Sequence, residues 1–164
     1  MPMTRIIIAA LVAVFLLNPD GSYADFKAGA DAYERKDYKT AYEEWFISAK
    51  GGDAHAQANI ATLLQLGKGV AADNDLAFKW YYRAAEQGNL VSQRVVAQMY
   101  AAGQGVKKNG TLAYIWYSIA AASGDEKSQA YIDKWSKPLP EERLKFLNNY
   151  AKIFIPKRAN FAIT

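Results

Sequence analysis

An all-α solenoid built from helix-turn-helix units is predicted by three features of this 164-residue sequence. Residues recur at a spacing of 36: Ala41, Ala77 and Ala113 are followed at constant offsets by Ala49, Ala85 and Ala121, by Gly52, Gly88 and Gly124, and by Gln57, Gln93 and Gln129. Paired glycines punctuate the period, Gly67 with Gly69 and Gly103 with Gly105, and a valine follows each pair, Val70 and Val106. Aromatic residues fall at matching places, Phe78, Trp80, Tyr81 and Tyr82 in one unit and Tyr114, Trp116 and Tyr117 in the next; Tyr42 and Trp45 precede them, the tryptophan shifted by one place. A fixed period of this size marks a repeat array, in which a unit cannot bury its apolar face alone and stacks on its neighbours.

Residues 1–24 read as a signal peptide. Arg5 supplies a positive start, Ile6 to Leu17 is an unbroken apolar run, and Asn18, Pro19, Asp20 and Gly21 break it. Ser22 and Ala24 are small residues at the two positions a signal peptidase reads, so cleavage is expected after Ala24. The run falls short of the roughly 20 apolar residues of a membrane span. The expected location is periplasmic or secreted. The sequence has no cysteine, so stability must come from packing, and thiol nucleophiles and thiolate metal sites are excluded.

Residues 25–136 form the expected repeat domain, with a partial unit at 25–52, full units at 53–88 and 89–124, and a partial unit at 125–136. The partial first unit opens with a helix from Phe26 to Lys36. In the first full unit, Ala56, Ile60, Leu63 and Leu64 recur at helical spacing over Ala54 to Leu66. Asp53 stands before that helix as an N-cap, and Gly67 can close it in the left-handed conformation. The second helix is expected from Leu76 to about Gln87, capped by Asp73 and ended by Gly88. Asn89 and Asn109 cap the next pair, with Gly103 and Gly124 as terminators. Ala77, Ala84, Ala85, Ala120 and Ala121 leave space that the large aromatic side chains fill, so the recurrent rings read as packing.

The runs "AFKWYYRAAEQGN", "AQMYAAGQGVKKN" and "AYIWYSIAAASGD" resemble the Sel-one-like repeats, relatives of the tetratricopeptide repeats. The resemblance spans about Asp37 to Trp135 and implies a right-handed superhelix used for protein contacts. After Gly124 the paired-glycine turn is missing, and the unit ends at Ser136, Lys137 and Pro138. Residues 137–164 are expected to be a basic capping helix and tail. Pro140 suits a first helical turn, Glu141 and Glu142 favour its positive end, and Leu144, Leu147, Tyr150 and Ala151 supply one apolar face. Such a helix would cover the last repeat.

Charge is unevenly placed. Residues 25–136 carry 13 basic and 13 acidic side chains, whereas 137–164 carry six basic (Lys137, Arg143, Lys145, Lys152, Lys157, Arg158) against Glu141 and Glu142. With Lys107 and Lys108 on a turn, the basic segment offers a second surface to an anionic glycan, membrane head groups or an acidic partner, although a solvated face carries as much charge. Nucleic acid is not an expected partner of an exported protein.

Catalytic groups are sparse. His55 is the only histidine and has no second titratable group placed to orient it, so neither a general base nor a zinc site is expected. Glu43 and Glu44 are adjacent and diverge on a helix, and Asp73 and Asp75 read as capping residues. No Lys-Ser or Lys-Thr follows the glycine pairs, which are turns and not phosphate loops. Gln57, Gln93 and Gln129 are expected to bond backbone at each turn. No cofactor or metal is expected.

Recognition is expected where the units differ. Positions spaced by four, three and four place His55, Asn59, Thr62 and Leu66 on one face of a first helix, then Val91, Val95, Gln98 and Ala102, then Lys127, Tyr131 and Lys134. First helices line the concave side of helical solenoids, so these residues would form one stripe suited to a peptide or a partner helix. A row of solvated or packed side chains would share this pattern. The function expected is a non-catalytic scaffold or adaptor of the cell envelope. The alternative is a peptidoglycan- or polysaccharide-binding protein or an envelope hydrolase. Some exported proteins of the family it resembles are linked to antibiotic hydrolysis, but those are cysteine-rich.

Overall fold

The computed structural model describes residues 21–159, which form eight α-helices and no strand. The helices are α1 (Gly21–Glu34), α2 (Tyr38–Lys50), α3 (Ala54–Leu66), α4 (Asn74–Glu86), α5 (Leu90–Ala102), α6 (Gly110–Ala122), α7 (Glu126–Ser136) and α8 (Glu141–Ala159). Each of α1 to α6 packs on the next in the chain, α6 also packs on α7, and α8 lies against α6. The expected signal peptide lies outside the described residues apart from its last four. Helix α1 begins at Gly21 and so runs through the expected cleavage point.

Local chemistry explains where the helices start. Asp53, Asp73, Asn89 and Asn109 each accept a hydrogen bond from the backbone N–H three residues on, at 2.6, 2.9, 2.9 and 3.0 Å. These bonds satisfy donors that a helix start otherwise leaves unpaired. Asp37 does the same for Thr40, and that bond with the Thr40 side chain holds its carboxyl below the ordinary value. Helix α4 begins at Asn74, two residues before the expected Leu76, because a capped chain can enter the helix at once. Helix α1 begins five residues before the expected Phe26 and ends at Glu34.

The paired glycines are where units lock together. Gly67 and Gly103 close α3 and α5 in the left-handed conformation. Gly69 and Gly105, also left-handed, have a further task. A Cβ at Gly69 would overlap the Tyr38 carbonyl and the Lys39 nitrogen at the start of α2, and one at Gly105 would overlap the Asn74 carbonyl at the start of α4. Each loop therefore lies backbone-to-backbone against the second helix of the preceding unit, an approach only glycine permits. The residue between the glycines adds to the joint: the Lys68 ammonium lies 4.9 Å from the Tyr38 ring centroid, and Gln104 Nε2 donates to Asn74 Oδ1 at 3.0 Å.

Trp45, Trp80 and Trp116 are buried in one continuous core with Ala41, Ala77, Ala85 and Ala113. Edge-on ring contacts run between units, Phe46 to Trp80 at 6.1 Å and Tyr82 to Trp116 at 5.4 Å, geometry that aromatic quadrupoles favour. Trp45 is not a displaced copy of Trp80. It stands four residues after Ala41, the offset at which Tyr81 and Tyr117 follow Ala77 and Ala113.

At the C-terminal end the same register serves other purposes. Trp135 approaches the start of α6, where a Cβ at Gly110 would come within 2.7 Å of its ring, and so occupies the place of the missing glycine loop. Pro140 stands just before α8, and its carbonyl accepts from Arg143 N and Leu144 N. Leu147 and Ala151 are buried and Leu144 is half-buried, as the expected apolar face requires. Tyr150 departs from it: it lies on the outer side of α8, stacked with Phe146 at 6.1 Å. Gln129 departs as well. Gln57 and Gln93 donate from Nε2 to the carbonyls of Ala49 and Ala85, but Gln129 is exposed and donates to Asp133 Oδ1 in its own helix. It faces a cleft of about 480 Å³ between α6, α7 and α8, bordered also by Tyr114, Ile132, Leu144 and Asn148, so the end helices leave open the space that a further unit fills elsewhere.

Candidate functional site

The first helices of the units are α3, α5 and α7. Their inward faces are occupied by Ala56, Ile60, Leu63 and Leu64 on α3, by Val96, Ala97 and Met99 on α5, and by Ser128 on α7. The stripe residues occupy the remaining arc. His55, Leu66, Val91, Gln98, Ala102, Lys127, Tyr131 and Lys134 are exposed; Asn59, Thr62 and Val95 are half-buried. Side-chain bonds between units bring the starts of these helices together. Asn89 Nδ2 is 3.5 Å from His55 Nδ1, linking α3 to the cap of α5, and Arg94 Nη1 donates to Asp125 Oδ1 at 2.8 Å, linking α5 to the cap of α7.

A row of aromatic side chains from the second helices underlies the stripe, and sequence reasoning did not single it out. The Trp45 indole N–H donates to the Phe26 carbonyl at 3.0 Å. One unit later, the Tyr81 hydroxyl meets the Thr62 hydroxyl at 2.8 Å, and Thr62 is one period after Phe26. In the third unit Tyr117 stacks on Tyr131, with ring centroids 4.6 Å apart and planes 11° from parallel. Thr62 and Tyr131 are therefore both stripe members and packing partners, and Val95 rests on the core. The shared offset was a signal that could have found this row. Arg94 was missed because no other unit has an arginine there; Ala58 and Ala130 take its place.

Burial pushes the Tyr81 and Tyr117 hydroxyls above the ordinary value of 10.0. For Tyr81 the Thr62 bond opposes this shift; for Tyr117 the neighbouring Tyr131 adds to it and Arg94 opposes it. A raised phenol value means that these groups support folding as neutral side chains and lose that support only as pH rises above about 10.

His55 is exposed near the edge of the Phe26 ring, 6.4 Å between centroids. Among the described residues no three His, Asp or Glu side chains converge as a metal cage would require. Asp125, the cap of α7, is already engaged by Arg94 and by Ser128.

The fold and this surface define a helical repeat protein. The Sel1 repeat profile matches residues 54–89 and 90–125. A Sel1 repeat protein from Oxalobacter formigenes is 31% identical in sequence, with a TM-score of 0.66 over 77% of this chain and 98% of that one. The chain belongs to the Sel1 repeat family. A protective antigen of uropathogenic Escherichia coli strains, which displays an SLR fold, aligns with TM-score 0.76 and 26% identity over 87% of this chain and 32% of its own. This chain thus spans about a third of that antigen. Helicobacter pylori cysteine rich protein B shares the fold at 16% identity, with TM-score 0.55 over 70% of this chain and 98% of that one. A search of curated proteins returned no match.

Proposed function

We propose that the chain is a non-catalytic scaffold that acts after export and holds a protein partner against the face lined by α3, α5 and α7. One observation carries this reading. Residues that repeat from unit to unit are mostly buried in the core or used in caps and turns, whereas those that vary on the first helices are largely open to solvent. Only the variable set is free to encode specificity. The mixture of Leu66, Val91 and Tyr131 with Asn59 and Gln98 suits an extended peptide or an amphipathic helix, which needs apolar anchors and a few amides to fix its register.

Membership in the Sel1 repeat family supports a role in protein contacts, and the apolar segment before Asn18 supports export. The test is recovery of partners from an envelope extract by the native protein and by a variant carrying Asn59→Ala, Val95→Ala and Tyr131→Ala. Loss of specific partners from the variant is expected; equal recovery would remove the stripe from consideration. Incubation with muropeptides or a chromogenic lactam tests the non-catalytic part, since turnover abolished by His55→Ala would overturn it.

A further inference from the structure

We propose that the outer face of α8 docks on an anionic lipid bilayer surface. Phe146, Tyr150 and Ile153 are 52%, 46% and 60% exposed, and their spacing of four and three places them in one line along the helix. Leu147 and Ala151, about a third of a turn round the helix from this line, are buried on the side that packs on α6, so among the described residues α8 carries two apolar strips and buries one. Basic side chains flank the exposed line. Arg143, whose guanidinium lies 5.3 Å from the Phe146 ring centroid, is on one side, and Lys145 and Lys152 are on the other. The helix continues through Lys157 and Arg158. Its acidic residues, Glu141 and Glu142, are confined to the first turn, and Glu141 is paired with Lys145 at 2.8 Å.

Charge and area choose the occupant. The basic excess of the whole chain sits from residue 137 onward, so the complementary surface is negative. Three half-exposed side chains of this size offer on the order of 300 Å², well under the roughly 800 Å² per partner of a stable protein interface. An apolar line of that size becomes sufficient when it enters the head-group boundary of a bilayer and its flanking lysines meet anionic lipid. No described helix is long and apolar enough to cross a membrane, so α8 would lie along the surface.

The absence of cysteine allows a unique fluorescent reporter. Asn149→Cys, on the rim of the exposed line, is labelled with a polarity-sensitive dye, and Lys79→Cys on α4 carries the same dye as control. The full chain is mixed with vesicles of phosphatidylcholine, with vesicles containing phosphatidylglycerol, and with soluble dextran sulfate. The reporter at 149 should shift to the blue only with phosphatidylglycerol vesicles, and that at 79 should not shift. This local readout separates α8 from any insertion of residues 6–17. Replacing Lys145 and Lys152 together by Gln should weaken the response about 30-fold, and Phe146→Ser with Ile153→Ser should weaken it at least about tenfold. All four positions are exposed, so unchanged circular dichroism is expected. The proposal is overturned by an equal response with phosphatidylcholine or in the variants, or by a response to dextran sulfate alone. A shift that appears without vesicles and grows with protein concentration would assign the face to a second copy of this chain and overturn it too.

Discussion

The interior units, α3 to α6, and the C-terminal end, α7 and α8, occupy related register positions, and the same residue types behave differently in the two. Gln57 and Gln93 are buried and donate to backbone; Gln129 stands open to a cleft. Gly69 and Gly105 press loop backbone onto the preceding unit, while at the end a tryptophan side chain lies in that place against Gly110. Arg94 and Asp125 form a half-hidden strut, whereas Lys145 and Glu141 pair in open solvent. In a repeat array, identity at a register position sets which contact is possible, and the presence of a neighbour on both sides decides whether it is made.

The sharpest way to break the comparison is at the glycines. Gly105→Ala would set a Cβ against the Asn74 carbonyl while also straining a left-handed residue, and backbone cannot swing aside as a side chain can. A loss of more than about 3 kcal/mol is expected in urea unfolding. Gly110→Ala meets only the rim of the half-exposed Trp135 ring and gains helix propensity, so a change within about 1 kcal/mol of zero is expected. Equal losses would show that the end is locked as tightly as the interior.

The ion pairs give a smaller contrast. The Arg94 and Asp125 side chains are 20% and 11% exposed, and Asp125 also caps α7. Arg94→Ala should cost about 2 kcal/mol by removing a charge-assisted bond and leaving a half-buried carboxylate with fewer donors. Lys145 and Glu141, at 71% and 81% exposed, are free to be hydrated separately. Lys145→Ala should change stability by less than about 0.5 kcal/mol. Repeating both measurements in high salt checks the assignment, since the screened pair alone should lose its remaining effect.

Helix starts were legible because capping is local: Asp53, Asp73, Asn89 and Asn109 need only the N–H groups of the next three residues, and all four cap as the sequence indicated. Burial of Trp80 and Trp116 was legible from the period alone. Tyr150 and Gln129 were not, because each required knowing which helix lies beside it after the repeat stops. The row of Trp45, Tyr81 and Tyr117 was hidden for another reason. Counting from Ala41, Ala77 and Ala113 reveals it, but pairing tryptophan with tryptophan by type conceals that Trp45 does a tyrosine's work of pinning the adjacent first helix.

The glutamines allow the finest graded test of how much a neighbour contributes. Gln57 donates to the Ala49 carbonyl and accepts from Gln87 Nε2 at 2.8 Å, so its amide is paired at both ends. Gln93 donates to the Ala85 carbonyl at 3.3 Å while its buried Oε1 has no partner among the described residues, so removing it forfeits one bond but also relieves an unpaired acceptor. Gln129 donates to Asp133 within its own helix and is exposed. Substitution by alanine should therefore cost about 1.5 kcal/mol at 57, about 1 kcal/mol at 93 and under about 0.5 kcal/mol at 129, measured as shifts in the urea midpoint at constant slope. Equal costs at 57 and 93 would mean that the Gln87 bond adds nothing, and a cost at 129 matching that at 93 would mean that the cleft beside α7 closes in solution.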